Sequence, residues 1–199
     1  MKLIVGLGNP GRQYEQTRHN VGFDIAARVV ELLGRPNVKG RLGGDLAEAV
    51  YEGNRVAILC PGTFMNASGS SVRKAVDYYR IDPLSDDLLV ICDDMNLPLG
   101  RLRFRPGGSA GGQKGLADIV AKLGTDQFSR LRFGIDRPPP QMEVVDYVLG
   151  RFPAQVRGLV HDATDRAAGA VLEWVVSGVA VCMNRFNAAD GPGPQGGPG

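Results

Sequence analysis

An apolar run at residues 2–7 meets a glycine-rich turn at its carboxyl end, Gly6-Leu7-Gly8-Asn9-Pro10-Gly11. This pairing constrains the fold more than any other feature, because a short apolar run closed by such a turn reads as a buried strand. Residues 21–33 then place apolar side chains at helical spacing until Gly34 stops the helix. The chain therefore opens as a strand followed by a helix.

The alternation continues. Residues 45–51 and 55–60 read as short strands around the turn Glu52-Gly53-Asn54, and residues 70–79 as a helix. Residues 88–92 form a compact apolar strand that ends in Asp93-Asp94, and residues 101–105 alternate basic and apolar side chains as a half-exposed strand does. Five glycines between Gly107 and Gly115 surround the start of a helix that reaches about Leu123, and residues 131–135 read as another central strand, ended by Pro138, Pro139 and Pro140. From Pro153 to Val175 the apolar positions keep helical spacing, which predicts a long amphipathic helix lying over the sheet. Together these elements predict an α/β single-domain sandwich with a mixed, mostly parallel central sheet flanked by helices. The domain spans residues 1–187, and the Gly/Pro-rich tail at 188–199 is expected to be disordered.

A chain of 199 residues with 43% hydrophobic content can bury one core of ordinary domain size. No unbroken apolar run reaches the ~18 residues of a membrane span, and the N-terminus starts on the strand rather than on a leader, so a soluble cytoplasmic protein is expected. Cys60, Cys92 and Cys182 each lie in apolar surroundings and suggest buried thiols rather than disulfides or zinc ligands. The net charge of +2 decides little, yet seven cations and two acids lie between Arg101 and Arg132. Such a cluster suits a phosphate backbone or a solvated strand face.

The first turn matches G-x-G-x-x-G, so dinucleotide binding must be weighed. The context opposes it: residues 12–20 are polar and irregular, the helix starts only near Val21, and Asp24 falls inside that helix instead of at the end of a second strand. The same loop region presents His19 and Asn20 where α/β sheets carry their sites. His161 lies on the long helix and reads as structural. His19 can serve as a general base, and Asp93, closing its strand, is placed by the topology at the same sheet edge to orient it. The Asp93-Asp94 pair reads equally well as strand-end caps. Ser68, Ser70, Ser71 and Ser109 sit outside any nucleophile elbow and read as turn or capping residues. With few histidines and no acid cluster, no metal site and no cofactor are expected.

The segments Gly6-Leu7-Gly8-Asn9-Pro10-Gly11, Tyr14, Thr17-Arg18-His19-Asn20-Val21-Gly22, Thr63-Phe64-Met65-Asn66-Ala67-Ser68-Gly69 and Asp93-Asp94-Met95-Asn96-Leu97-Pro98-Leu99-Gly100 together resemble bacterial peptidyl-tRNA hydrolase in order and spacing. The resemblance runs from Lys2 to about Phe186. It implies a monomeric enzyme, independent of metal and cofactor, that cleaves the ester of peptidyl-tRNA. Carried onto matching positions, it implies His19 as the base that deprotonates water and Asp93 as its supporting carboxylate. It also implies that Asn9 distinguishes a blocked from a free amino group and that Asn66 binds the peptide or terminal adenosine. Tyr14, Phe64, Met65 and Gly112 are implied as substrate contacts, and Arg103, Arg105 and Arg132 as phosphate contacts.

One stretch departs from the family. Gln113-Lys114 stands where it usually has His-Asn, and lysine donates hydrogen bonds but cannot accept them. Lys114 either costs the attacking water an acceptor or attracts tRNA phosphate. The rival from another class is a non-catalytic RNA-binding relative of the same fold, against which the retained His19, Asp93, Asn9 and Asn66 argue.

Overall fold

Alternate residues of the first strand divide the core. β1 (Lys2–Gly6) sends Leu3 and Val5 to one face of the sheet and Ile4 to the other, all fully buried, as successive side chains of a strand must. A computed structural model describes residues 1–188. The tail expected to be disordered falls, apart from Ala188, outside those residues.

Around β1 stand β2 (Val38–Arg41), β3 (Gly44–Tyr51), β4 (Asn54–Pro61), β5 (Leu88–Asp94), β6 (Leu102–Arg105) and β7 (Ser129–Gly134), in the sheet order β2-β3-β4-β1-β5-β7-β6. The four central strands run parallel, while β2, β3 and β6 are antiparallel to their neighbours. The sheet is thus mixed with a parallel centre. Helices α1 (Val21–Leu32) and α2 (Ser68–Tyr79) follow β1 and β4 as crossovers, and α3 (Leu84–Asp87) is a single turn before β5. The remaining helices are α4 (Lys114–Leu123), α5 (Val144–Leu149) and α6 (Arg157–Phe186).

One core cluster joins Ile4, Ile58, Ile91 and Phe133 to the apolar faces of α1 and α6; the other joins Leu3, Val5, Leu59 and Val90 to α2 and α4. Helix α6 is long and apolar enough in composition to cross a membrane, with mean hydropathy 1.5. Its Ala163, Ala167, Ala170, Val171 and Trp174 are instead buried in the core, and Arg28 of α1 pairs with Asp165 at 2.7 Å.

Besides the single turn α3, two elements were not foreseen. β2 holds one valine among Lys39, Gly40 and Arg41 and is exposed throughout, so backbone pairing to β3 alone makes it a strand. α5 follows the three prolines that read as a terminator, and its six residues are too few to carry a helical period. Of the serines near the glycines, Ser68 donates to the Met65 carbonyl at 2.9 Å at the start of α2, while Ser71 reaches from within α2 to the Gly43 carbonyl at 2.7 Å and so ties the helix to a distant turn.

Inside α6, Gly178 leaves the helical region with φ 77° and ψ 176° and joins two helical segments. A Cβ there would meet nothing within 4 Å, so only the backbone demands glycine. Gly178→Ala should cost about 1–3 kcal/mol in denaturant unfolding with no change at the cleft; unaltered stability would show that the bend straightens freely. The side chain of Asp24, inside α1, forms no hydrogen bond among the described residues, and burial pushes its carboxyl up to about 6. Ionising it in the fold is therefore unfavourable, a cost that is absent below about pH 4, grows as pH rises and is complete above about pH 6. Asp24→Asn should stabilise the protein by up to about 3 kcal/mol at neutral pH and by little at pH 4, read from urea unfolding at both.

Candidate active site

The carboxyl ends of β1 and β5 set the site. Beyond β1 the Leu7 N–H donates to the Ile91 carbonyl at 3.0 Å, extending the pairing to the start of the polar loop. Asn9 and Asn20 then lock that loop to the turn preceding α1: the Asn9 N–H donates to Asn20 Oδ1, and Asn20 Nδ2 donates to the Asn9 carbonyl, both at 2.9 Å. The segment read as irregular is two short 3-10 turns, Arg12–Tyr14 and Arg18–Asn20, and the second delivers His19.

His19 Nδ1 lies 3.0 and 2.9 Å from the two oxygens of Asp93, whose carboxylate is almost wholly buried. Against an ionised carboxylate Nδ1 carries the proton and donates. Nε2 is left without a hydrogen-bond partner among the described residues, and His19 lines a cleft of about 240 Å³. The two residues singled out as a couple are therefore in contact. Their neighbour plays another part: Asp94 accepts from the Asn96 N–H at 2.8 Å and from Arg132 Nη1 at 3.1 Å. The capping reading fits Asp94 and does not describe Asp93.

Asn9 is also fixed from a second side. Its Oδ1 accepts from the Met65 N–H at 2.8 Å, so the oxygen is committed and only the Nδ2 group stays unpaired among the described residues. Met65, Asn66, Gly112 and Lys114 line the same cleft, Met65 buried and the other three exposed. Tyr14 and Phe64 are absent from its wall and meet each other edge to face at 6.3 Å, with Phe64 57% exposed.

Gln113 was passed over in favour of Lys114, yet it touches the couple. Its Nε2 donates to Asp93 Oδ1 at 3.2 Å, while its Oε1 accepts from the Leu116 N–H at 2.8 Å and caps α4. Position alone was the available signal, the last residue before the helix; glutamine is not among the preferred capping residues. The apolar wall of the cleft, Val144, Val145, Val148 and Leu149 of α5, was missed with its helix.

The cation cluster is not one surface. Arg130 is fully buried and donates to the carbonyls of Ser109 and Asp126 at 2.8 and 2.9 Å. Arg132 is mostly covered and divided between Asp94 and the Ser109 carbonyl. Arg101 donates to the Asn187 and Ala188 carbonyls. Arg103 and Arg105 are exposed on edge strand β6, where the alternate Leu102 and Phe104 are buried, and Lys114 and Lys122 are exposed on α4.

Among the described residues no group of three or more His, Cys, Asp or Glu side chains could hold a metal ion. All three cysteines are free, and burial pushes each thiol up to about 12.

The profile of a family described as peptidyl-tRNA hydrolase matches residues 3–193. A peptidyl-tRNA hydrolase of Rhodopirellula baltica is 52% identical over 192 residues, covering 96% of this chain and 100% of the relative. One of Bacillus cytotoxicus is 48% identical, covering 94% and 100%. The crystal structure of Acinetobacter baumannii peptidyl-tRNA hydrolase superposes with a TM-score of 0.85 at 38% identity, covering 94% of this chain and 95% of that one. The apo 5′-methylthioadenosine nucleosidase of Arabidopsis thaliana shares the fold alone, with a TM-score of 0.50 at 9% identity. On a match of this extent, the chain belongs to the peptidyl-tRNA hydrolase family and is an enzyme that hydrolyses peptidyl-tRNA.

Proposed function

We propose that His19 is the general base of this hydrolysis and Asp93 the carboxylate that orients it. The observation that carries this reading is the contact of Nδ1 with both Asp93 oxygens, which leaves the imidazole one basic nitrogen, Nε2, at the cleft. Nε2 takes a proton from water as the water oxygen attacks the ester carbonyl. The buried carboxylate stabilises the imidazolium so formed. The tetrahedral adduct collapses by expelling the ribose oxygen, which recovers the proton from Nε2, leaving a peptide carboxylic acid and a free tRNA hydroxyl.

Asn9 turns its Nδ2 group to the substrate as a donor, because its oxygen accepts from the Met65 N–H. A blocked amino group offers an acyl oxygen to that N–H, whereas a free ammonium offers only donors, so discrimination follows from unpaired donors facing each other. Asn66, Met65 and Gly112 contact the peptide and the terminal adenosine, and Tyr14 with Phe64 forms an aromatic edge for the substrate beyond the cleft. Arg103 and Arg105 take tRNA phosphates, and Lys114 does so at the mouth of the cleft, since its ammonium cannot accept from water. Arg132 is tied to Asp94 and to the Ser109 carbonyl, so any phosphate contact it makes is shared with those partners. The family resemblance extends to a monomer acting in the cytoplasm, away from membranes and without metal or cofactor, with residues 1–187 as the catalytic domain.

His19→Ala should lower kcat on N-acetyl-aminoacyl-tRNA by about 10²–10⁴-fold, with the circular dichroism spectrum and thermal transition retained. Turnover within a few-fold of the parent would reject the base. For Arg105→Ala, tRNA affinity should fall at low salt, and the slope of log K against log salt should drop by about 0.7–0.9. An unchanged slope would remove Arg105 from the phosphate contacts.

A further inference from the structure

The residue before the proposed base is occupied elsewhere. Arg18 Nη1 lies 3.1 Å from each of the Tyr147, Gly150 and Arg151 carbonyls, at the end of α5 and just beyond it. Its guanidinium stacks 4.1 Å from the Tyr147 ring centre and 5.3 Å from that of Phe152. The backbone repeats the link: the Arg18 N–H donates to the Gly150 carbonyl at 3.1 Å, and Thr17 forms a β-bridge with Arg151. A Cβ on Gly150 would lie 3.0 Å from Arg18 Nη1, so the fit is close.

What this anchor holds is the apolar wall of the cleft. α5 has six residues, and Val144 and Val145 are 46% and 53% exposed. A helix so short has no stability of its own and keeps its place only through tertiary contacts. The planar fork of arginine suits this work, since it bonds the carbonyls left open at a helix end while stacking on an aromatic face. Tyr147 completes the seat by donating its hydroxyl to the Ile135 carbonyl at 2.6 Å.

We propose that Arg18 is a positioning residue for peptide recognition: it fixes α5 as the apolar wall against which the side chain next to the scissile ester packs, in register with His19 on the same turn. The proposal rests on the reading of His19 as the base. It assigns Arg18 to substrate binding and leaves the proton transfer to its neighbour.

The test uses the full chain with Arg18→Gln, Arg18→Lys and His19→Ala, assayed on N-acetyl-phenylalanyl-tRNA and N-acetyl-glycyl-tRNA. Arg18→Gln should raise KM for the phenylalanyl substrate by about 5–10-fold and for the glycyl substrate by less than about twofold, with kcat held within about threefold. Amide hydrogen exchange at residues 144–150 should quicken by about tenfold while β1 and β5 stay protected. Arg18→Lys should recover part of both effects, and it carries the test alone if the glutamine variant loses its circular dichroism signature. Unchanged exchange at α5, or a loss in kcat of equal size on both substrates, would overturn the proposal. Normal turnover in His19→Ala would instead sink the base while leaving the exchange result standing.

Discussion

The site depends on how closely α1 can lie on the ends of β1 and β5. A Cβ on Gly22 would fall 2.5 Å from the Leu7 carbonyl oxygen and 2.7 Å from that of Ile91, and one on Gly6 would fall 2.4 Å from the Gly22 carbonyl oxygen. These are backbone atoms of the sheet, its first loop and α1, which cannot swing aside as a side chain can. Any side chain at either position would lift the first turn of α1 off the sheet. His19 precedes Gly22 by three residues, and Asp93 follows Ile91 by two, so the same contact that seats the helix brings imidazole and carboxylate together.

That contact leaves a carboxylate buried at the end of a strand, which is costly unless it is paired and hydrogen-bonded. Asp93 meets the condition with His19 on both oxygens and Gln113 on one. Each partner is itself held: Gln113 by the first turn of α4, and the turn of His19 by the Asn9–Asn20 amide exchange. Asn9 in turn reaches Met65 after β4. One polar network therefore ties the ends of β1, β4 and β5 to two helices, in surroundings where an unmade hydrogen bond costs about 1–3 kcal/mol. It makes the cleft rigid on its polar side.

Much of this was legible in the chain because two periodicities are written plainly in it. The apolar runs ending in Gly6 and in Asp93 gave the parallel centre, and the spacing over residues 21–33 gave the helix that covers it. The pairing of His19 with Asp93 followed from topology, since Asp93 lies at the end of β5 and His19 in the segment that follows β1, at one sheet edge. What escaped has a common cause: it depends on partners distant in the chain. β2 exists through pairing with β3, and α5 through docking at Arg18. Gln113 matters because Asp93 lies within 3.2 Å, which no local pattern encodes. Charge misled for the same reason. A count of cations between Arg101 and Arg132 cannot tell an exposed Arg105 from a buried Arg130.

The division among those arginines bears on how the enzyme treats its two-part substrate. Arg130 and Arg132 both donate to the Ser109 carbonyl, which pins the glycine-rich loop whose Gly111 and Gly112 line the cleft. Burial and the nearby Arg132 disfavour the charge of Arg130, yet its ring partner Phe128 at 4.5 Å and its two carbonyl acceptors hold it in place. Arginine keeps its proton under such conditions, where lysine would surrender it. Arg18 pins α5, which also lines the cleft, in the same manner, by carbonyls and aromatic rings. Two arginine-anchored segments thus line the cleft, and among the arginines of the cluster Arg103 and Arg105 are exposed, with Lys114, for the proposed phosphate contacts. Internal charge that shapes the cleft does not respond to salt as surface charge does, because buried pairs are screened far less. Raising ionic strength should therefore act on the tRNA end of the substrate and spare the peptide end.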